Sequence, residues 1–536
     1  MSESIGSQFF AIPELLLLVL SYLSPPGKST VSSIDSKSLA TLARVSRSIS
    51  DAALDSLWRT IHQPGPIIRL LPADAWQLTW EVKETWDEDH TPSEQEYRLL
   101  RPLTPDDFAA FDKYAPRVRF VDLTNSSRLL GRGCELLPYI KKFRNPILPA
   151  LVYFRWEAST LSRSVGALHL LSREAAVPSE ELSLLMWGEI EHMPGESEAI
   201  ANTIDAFNDP ALPWLPDVKT LTLRTLHFLP ALRMAIPRLL NLEHFSCDLC
   251  IDRSLFQSLA SLPRLRFVDF RSLPAETVAS LPTDSPSFDA LEGLRISGTL
   301  SSIHALLPRI SSPGLSSVHL VAKDFQSLPV ESTLLSLLPP TIRTRVSTLQ
   351  HFRFAGPPPS ARAHSLDRLV LAAFAPLYGC RALQTFCVDI DALRLVFTDN
   401  DVHTMAHAWP SLTTLIVTPP RSAWQPALDV HLYSLWAFAV DCPRLRRLEL
   451  EVDADVVAPF RVEDGAVTSP DRSSMEDLTL FCSPCGDPAL VGEFLNRAFP
   501  RLMPEAFHAY ASKGRPQDRE RWAAVTASMG NPIGEI

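Results

Sequence analysis

A short pattern returns along this chain from about residue 115: apolar-x-x-apolar-x-apolar, followed by polar or turn residues. The clearest copies are Val218-Lys219-Thr220-Leu221-Thr222-Leu223, Leu265-Arg266-Phe267-Val268-Asp269-Phe270 and Leu291-Glu292-Gly293-Leu294-Arg295-Ile296. Leu349-Gln350-His351-Phe352-Arg353-Phe354, Leu383-Gln384-Thr385-Phe386-Cys387-Val388, Leu412-Thr413-Thr414-Leu415-Ile416-Val417 and Leu445-Arg446-Arg447-Leu448-Glu449-Leu450 follow. Weaker copies centre on Val121, Phe154, Leu185, Phe245, Val318 and Leu478, and successive centres lie 23 to 36 residues apart. Side chains on a strand alternate between faces, so each copy sends its second and third apolar residues the same way. A strand this short cannot bury that face alone. Stacked copies bury it jointly, so a period of roughly 20–50 residues points to a solenoid of one strand and one helix per unit.

The stretches between copies read as helices: Arg253–Leu262, Ser301–Leu307, Ser332–Leu338, Asp401–Ala408 and Leu432–Val440. Proline stands just before the next strand at Pro263, Pro410, Pro443 and Pro500, where it ends the helix and opens a turn. Together these features resemble a leucine-rich-repeat array, with the Asn or Cys that usually follows the strand mostly replaced. The fold class expected is therefore an irregular, leucine-rich-repeat-like α/β solenoid of parallel strands plus helices, spanning residues 115–503. Leu221, Leu223, Val268, Phe270, Leu294, Ile296, Leu415, Val417, Leu448 and Leu450 should face its core. Residues 504–536 form a C-terminal cap and tail, with Arg519–Met529 as the closing helix through Trp522 and Val525.

The first sixty residues differ. Pro13 and Glu14 suit a helix start, and Leu15, Leu16, Val19, Leu20 and Leu23 share one helical face. Leu17 and Leu18 lie off that face, so this helix needs cover on more than one side. A polar loop from Ser24 to Ser38 leads to Leu39–Ser50, and then Asp51–Arg59. Pro13-Glu14-Leu15-Leu16, Leu42-Ala43-Arg44-Val45-Ser46-Arg47 and the close Leu54-Asp55-Ser56-Leu57-Trp58-Arg59 resemble a fungal F-box, a small all-α unit here placed at residues 9–62. The chain lacks the spacer residue of the usual Leu-Pro-x-Glu start. Residues 63–114 read as a connecting segment, with a strand at Trp76–Val82, an acidic loop at Glu84–His90 and a helix from Thr104 or Pro105 to Tyr114.

Composition excludes several classes. A net charge of −11 argues against a nucleic-acid binder. No apolar run is as long as a membrane span, and no Lys or Arg precedes Lys28 as a signal peptide would require. Eight dispersed cysteines fit buried thiols of a reducing compartment, cytoplasmic and/or nuclear. Cys247-x-x-Cys250 and Cys482-x-x-Cys485 have metal-ligand spacing, but in a solenoid their separation in sequence is separation in space, so they read as structural. His403 and His407 share a helical face without a third ligand, and read as surface residues. No P-loop, G-x-G-x-x-G or G-x-S-x-G occurs, so neither an enzyme nor a cofactor is expected.

The F-box resemblance implies a non-catalytic substrate-recognition adaptor of an SCF-type ubiquitin ligase. It would dock on a Skp-type linker subunit, and through it a cullin, using Pro13, Leu15, Leu16, Leu20, Leu42, Val45, Ile49 and Trp58. The alternative is a leucine-rich-repeat interaction scaffold outside ubiquitin ligation. Residues between the core positions should line the open face: Arg155, Arg224, Asp248, Asp269, Arg271, Arg295, His319, Arg353, Asp389, Glu449 and Glu451. Arginine predominates up to Arg353 and acid from Asp389 onward. Either a target with an acidic or phosphorylated segment meets Arg224, Arg271, Arg295 and Arg353, or these arginines are solvated or paired with Asp248 and Asp269.

Overall fold

The structure, a computed structural model, describes residues 33–45, 47–81, 94–123, 136–158, 181–186, 218–223, 236–248, 252–273, 278, 288–310, 312–323, 334, 338, 347–356, 368–390, 394–396, 398–418, 429–455, 473–481, 483–510 and 516–529. They fall into two compact units, Met1–Leu249 with Leu262–Leu265, and Cys250–Ser261 with Arg266–Ile536.

In the first unit, helices Ser33–Val45 and Arg47–Trp58 pack together around Leu39, Ile49 and Ala53, with Leu42, Ala43, Ala52 and Leu57 partly buried against them. The first of these helices begins within the stretch that reads as loop. The chain then enters β1 (Thr60–Ile61). A hairpin follows, β2 (Trp76–Glu81) antiparallel to β3 (Glu94–Leu99). Ile68, Tyr97 and Leu136 form its core, with Trp76, Leu78 and Leu99 packed on them. Thr104 starts the next helical turn, and its N–H donates to Asp107 at 2.7 Å. Arg101 donates to the Asp107 carboxylate at 2.8 Å, and with these hydrogen bonds the carboxyl is held well below the usual range. Helix Ala109–Tyr114 completes the segment.

The ladder of this unit is β1, β4 (Phe120–Leu123), β5 (Tyr153–Ala158), β6 (Glu181–Met186), β7 (Thr220–Leu223) and β8 (His244–Cys247), each parallel to the next. In the second unit β9 (Phe267–Leu273), β10 (Gly293–Gly298), β11 (Ser317–Ala322) and β12 (His351–Ala355) continue the same pattern. A two-stranded side ladder pairs β13 (Arg368–Val370) with β15 (Arg394–Val396). The main ladder runs from β12 to β14 (Thr385–Asp389), β16 (Thr414–Thr418), β17 (Arg447–Leu450), β18 (Asp477–Phe481) and β19 (Phe507–Tyr510). Each unit is thus a parallel α/β solenoid-like array, and the first carries the helix pair Ser33–Val45 and Arg47–Trp58 ahead of its ladder.

The centres read from the sequence lie in these strands, with one register corrected: Leu182, not Leu185, pairs with Phe154 and Leu221, because the neighbouring strands fix the alignment of this apolar run. Leu221, Val268, Phe270, Leu294, Ile296, Leu415, Val417, Leu448 and Leu450 are all buried. Burying each is worth about 1.5–3 kcal/mol. Leu223 lies in β7. The ladder also takes Thr60–Ile61 and Phe507–Tyr510, outside residues 115–503.

One turn recurs before the strands. A buried residue accepts, through its carbonyl, the N–H of a leucine three positions on: Leu239 from Leu242, Phe288 from Leu291, Cys380 from Leu383, Trp409 from Leu412, Cys442 from Leu445 and Phe499 from Leu502. Pro410, Pro443 and Pro500 occupy the position after the acceptor, where a fixed φ suits the turn. The carbonyl preceding each strand then takes two N–H groups from the next copy. Gln350 O accepts from Gln384 N at 2.7 Å and Thr385 N at 2.9 Å, and Gln384 O accepts from Thr413 N at 2.8 Å and Thr414 N at 3.0 Å. Backbone alone makes this tie, so the missing Asn or Cys of the regular repeat is not needed for it.

Helices carry ordinary caps. Asp252 accepts from Leu255 N at 2.8 Å above helix Arg253–Ala260, and Thr398 with Asp401 forms a capping box on helix Asp399–Ala408. Phe352, Phe374, Phe386 and Trp409 form a continuous aromatic core, and Trp409 Nε1 donates to Leu377 O at 3.0 Å. The closing helix runs Pro516–Met529, with Trp522 and Val525 buried as expected and Trp522 Nε1 donating to Ser483 O at 2.9 Å. It lies close to helix Pro488–Ala498 at Gly492, where a Cβ would meet Ser528 Oγ at 2.1 Å. Among the described residues no helix is long and apolar enough to cross a membrane.

Candidate functional site

The helical unit is fastened to its own chain. Trp58 stacks on Tyr114 with ring centroids 5.1 Å apart. Arg117 donates to Asp51 O at 3.1 Å and to the Asp51 carboxylate at 2.9 Å, and it also pairs with Asp55. Arg59 lies over the Phe120 ring, 5.4 Å from its centroid, and Thr60 enters the ladder next door. Among the residues expected to meet a linker, Ile49 is buried inside the helix pair and Trp58 is half-buried by its stack. Both are committed to internal packing, because a pair of short helices needs its large apolar side chains inside. Leu42 is partly buried, and Val45 is 69% exposed. Pro13, Leu15, Leu16 and Leu20 lie outside the described residues.

The second unit presents a sheet face on which polar side chains alternate with the core. One row crosses it in strict register: Asp269, Arg295, His319, Arg353, Cys387, Ile416, Glu449, Thr479 and His508. Beside it Ser297, Val321, Ala355, Asp389 and Thr418 form a parallel row. Several charges of this face lie in local pairs. Arg271 donates to Asp269 at 2.7 Å, Arg353 lies 3.9 Å from Asp389, and Arg447 donates to Glu449 at 2.6 Å. Glu449 is buried rather than presented. Side chains on neighbouring parallel strands lie about 4.8 Å apart, so opposite charges find each other before solvent separates them. Arg224 lies outside the described residues, and the Arg155 side chain is not among the described groups.

Burial pushes Cys380 and Cys387 up to about 11 and Cys442 and Cys485 up to about 12, so none is a thiolate at neutral pH. Cys247 is buried too, while Cys250 and Cys482 lie outside the described residues. His403 and His407 are exposed. Among the described residues no three His, Cys, Asp or Glu side chains are grouped to hold a metal ion. No local pattern marks the Asp399 cluster, where the carboxylate accepts from His431 N at 2.7 Å and Tyr433 OH at 2.7 Å and pairs with His431 Nδ1. Burial would raise this carboxyl, but the hydrogen bonds outweigh it and the net shift is downward. The cluster joins residues 429–433 to the start of helix Asp399–Ala408. A separate open cleft of about 730 Å³ in the first unit is lined by residues 97–103 with Leu136, Tyr139, Lys142 and Phe143.

Comparison with known families decides the N-terminus. The F-box-like family model matches residues 13–64. The chain carries an F-box-like domain. The match ends just past Thr60–Ile61, so the F-box-like domain runs directly into the first rung of the ladder. No curated protein matches the sequence. Among solved structures, a crystal structure of a Bacteroides fragilis protein is similar over 61% of this chain and 74% of its own, at 12% identity and a TM-score of 0.29.

Proposed function

We propose that this chain is a non-catalytic adaptor: the F-box-like domain docks on a Skp-type linker of a cullin-based ubiquitin ligase, and the repeats hold a target protein. The observation that carries the reading is the F-box-like match at residues 13–64 joined to a parallel repeat ladder. On this reading the ligation chemistry belongs to other subunits and the chain contributes proximity and orientation. Pro13, Leu15, Leu16, Leu20, Leu42 and Val45 are the contacts proposed for the linker. Arg295 and Arg353, with Arg224 and Arg271, are proposed for the target. A cytoplasmic or nuclear location accords with buried thiols at Cys380, Cys387, Cys442 and Cys485.

The test is affinity purification of the full chain and of a Leu16→Asp/Leu20→Asp variant. Wild type should recover a Skp-type linker and the variant should not, since each lost leucine contact is worth about 1.5–3 kcal/mol and a buried charge adds to the cost. Equal recovery of linker by both would exclude this interface. A second reading, an interaction scaffold whose helical unit caps the first repeat, is favoured by the packing of Ile49, Trp58 and Arg117 within the chain. It predicts no linker in either sample.

A further inference from the structure

We propose that the open edge of β3 is a docking strand for an extended acidic segment of a partner protein. The segment adds to the hairpin as a third strand and lays its apolar side chains in the cleft alongside. The proposal goes beyond the adaptor reading and does not rest on it, because the surface lies on the hairpin and outside the main ladder.

Among the described strands, β2 and β3 pair only with each other, so β3 keeps one edge without a strand partner. Register identifies the groups that face this edge. Leu100 N donates to Ala75 O at 3.0 Å, and Arg98 stands opposite Gln77. In an antiparallel pair N–H and C=O turn toward the partner strand at alternate residues, so those of Tyr97 and Leu99 turn away from β2. Among the described residues no other backbone group bonds to them. An edge left open in this way is a template for a further strand.

The cleft follows the same edge. Every residue from Tyr97 to Leu103 lines it, and Leu136, Tyr139 and Phe143 face them from helix Leu137–Lys141 and its flanks. Side chains of both parities can line one cleft only where it runs beside the strand rather than over one face. Tyr97 and Leu99 pack toward Leu136, so a strand added in register would send the side chains beside them against the same apolar wall. Leu100 is 57% exposed and Tyr139 47% exposed, and both lie in this cleft. Exposed apolar surface rimmed by polar groups marks an interaction site. Pro102 has no N–H and bounds the pairing edge.

Charge selects the occupant. No carboxylate lines the cleft, whereas Arg98 and Lys142 stand exposed on its rim, in a chain of net charge −11. Arg101 lines it too but is held by Asp74 at 2.9 Å and Asp107 at 2.8 Å. The complementary segment alternates apolar residues, beside Tyr97 and Leu99, with Glu or Asp beside Arg98. Backbone bonds give such a strand its affinity, and the pockets for alternate side chains give it selectivity.

The test is fluorescence anisotropy with the full chain. The probe is fluorescein-Gly-Ser-Glu-Val-Glu-Phe-Glu-Ser-Gly, compared with a twin carrying lysine for each glutamate. Two further forms are N-methylated on the backbone, one at Val and Phe and the other at the three glutamates. The expected result is saturable binding of the glutamate probe and none of the lysine twin. One N-methylated form should lose binding and the other keep it, because only alternate N–H groups face β3. Arg98→Glu and Tyr139→Ala should each weaken the glutamate probe about tenfold or more, and Arg446→Gln should leave it unchanged. Arg98 and Tyr139 are exposed, so an unchanged urea midpoint is expected in both variants. Absence of binding by the glutamate probe, or equal binding of the lysine twin, would overturn the proposal whatever the variants do. Equal affinity of the two N-methylated forms would reject strand addition, and wild-type affinity in the Arg98→Glu/Tyr139→Ala chain would reject the site. A dimer seen by light scattering without peptide, and lost in Arg98→Glu, would assign the edge to a second copy instead.

Discussion

His319 titrates below its ordinary range, near 4, because burial and then the charges of Arg295 and Arg353 disfavour its protonated form. The sign of the consequence follows. Between pH 6.5 and about 4 the unfolded chain binds a proton here that the folded chain does not, so this contribution to stability is full above 6.5 and lost on acidification. The urea midpoint of wild type should fall more steeply across that window than that of His319→Gln; identical slopes would show that the histidine titrates normally. Trp409 makes the second case at this scale. It is fully buried and its Nε1 donates to Leu377 O, which also accepts from Cys380 N at 2.8 Å, so Trp409→Phe removes one of two hydrogen bonds on that carbonyl and the lost bond should cost about 0.5–1.5 kcal/mol in denaturant unfolding. Neither property was legible from local sequence. His319 reads as one polar residue between Val318 and Leu320, and its neighbours in space are 24 and 34 positions away.

At the scale of the element, the strands were legible and their turns only partly so. Parallel strands covered on both faces read as continuous apolar runs. These alternate, which told in advance that one face would be open. The recurrent turn, a buried residue, often proline, any residue and then leucine, showed in sequence only as its prolines. Leu412 closes one such turn and is fully buried, so Leu412→Ala should cost about 2–5 kcal/mol, read as a shift in the unfolding midpoint. Helix contact at Gly492 was not legible, since nothing near it in sequence names Ser528. Gly492→Ala should destabilise by about 1–3 kcal/mol, and adding Ser528→Ala should recover part of the loss. No recovery would mean that Ser528 yields without cost. The strands β1, β3 and β19 escaped sequence reading for a common reason: each is short or polar, and each is defined by the neighbour it pairs with.

For the whole molecule, each of the two units has its own buried core, and urea unfolding followed by several probes should not be a single two-state transition. Coincident transitions from tryptophan fluorescence and circular dichroism would argue for one cooperative block. The sequence by itself determined the solenoid class, the helical N-terminal unit and the identity of the core residues. Those depend on periodicity, which is a one-dimensional property. Only the tertiary structure decided which charges meet. Register places Asp269 against Arg295 and Arg353 against Cys387, and a pairing shifted by one residue would turn every side chain to the other face. It also decided that Ile49 and Trp58 pack within the chain, because their partners, Leu39, Ala53 and Tyr114, are brought together by helix packing rather than by any local pattern.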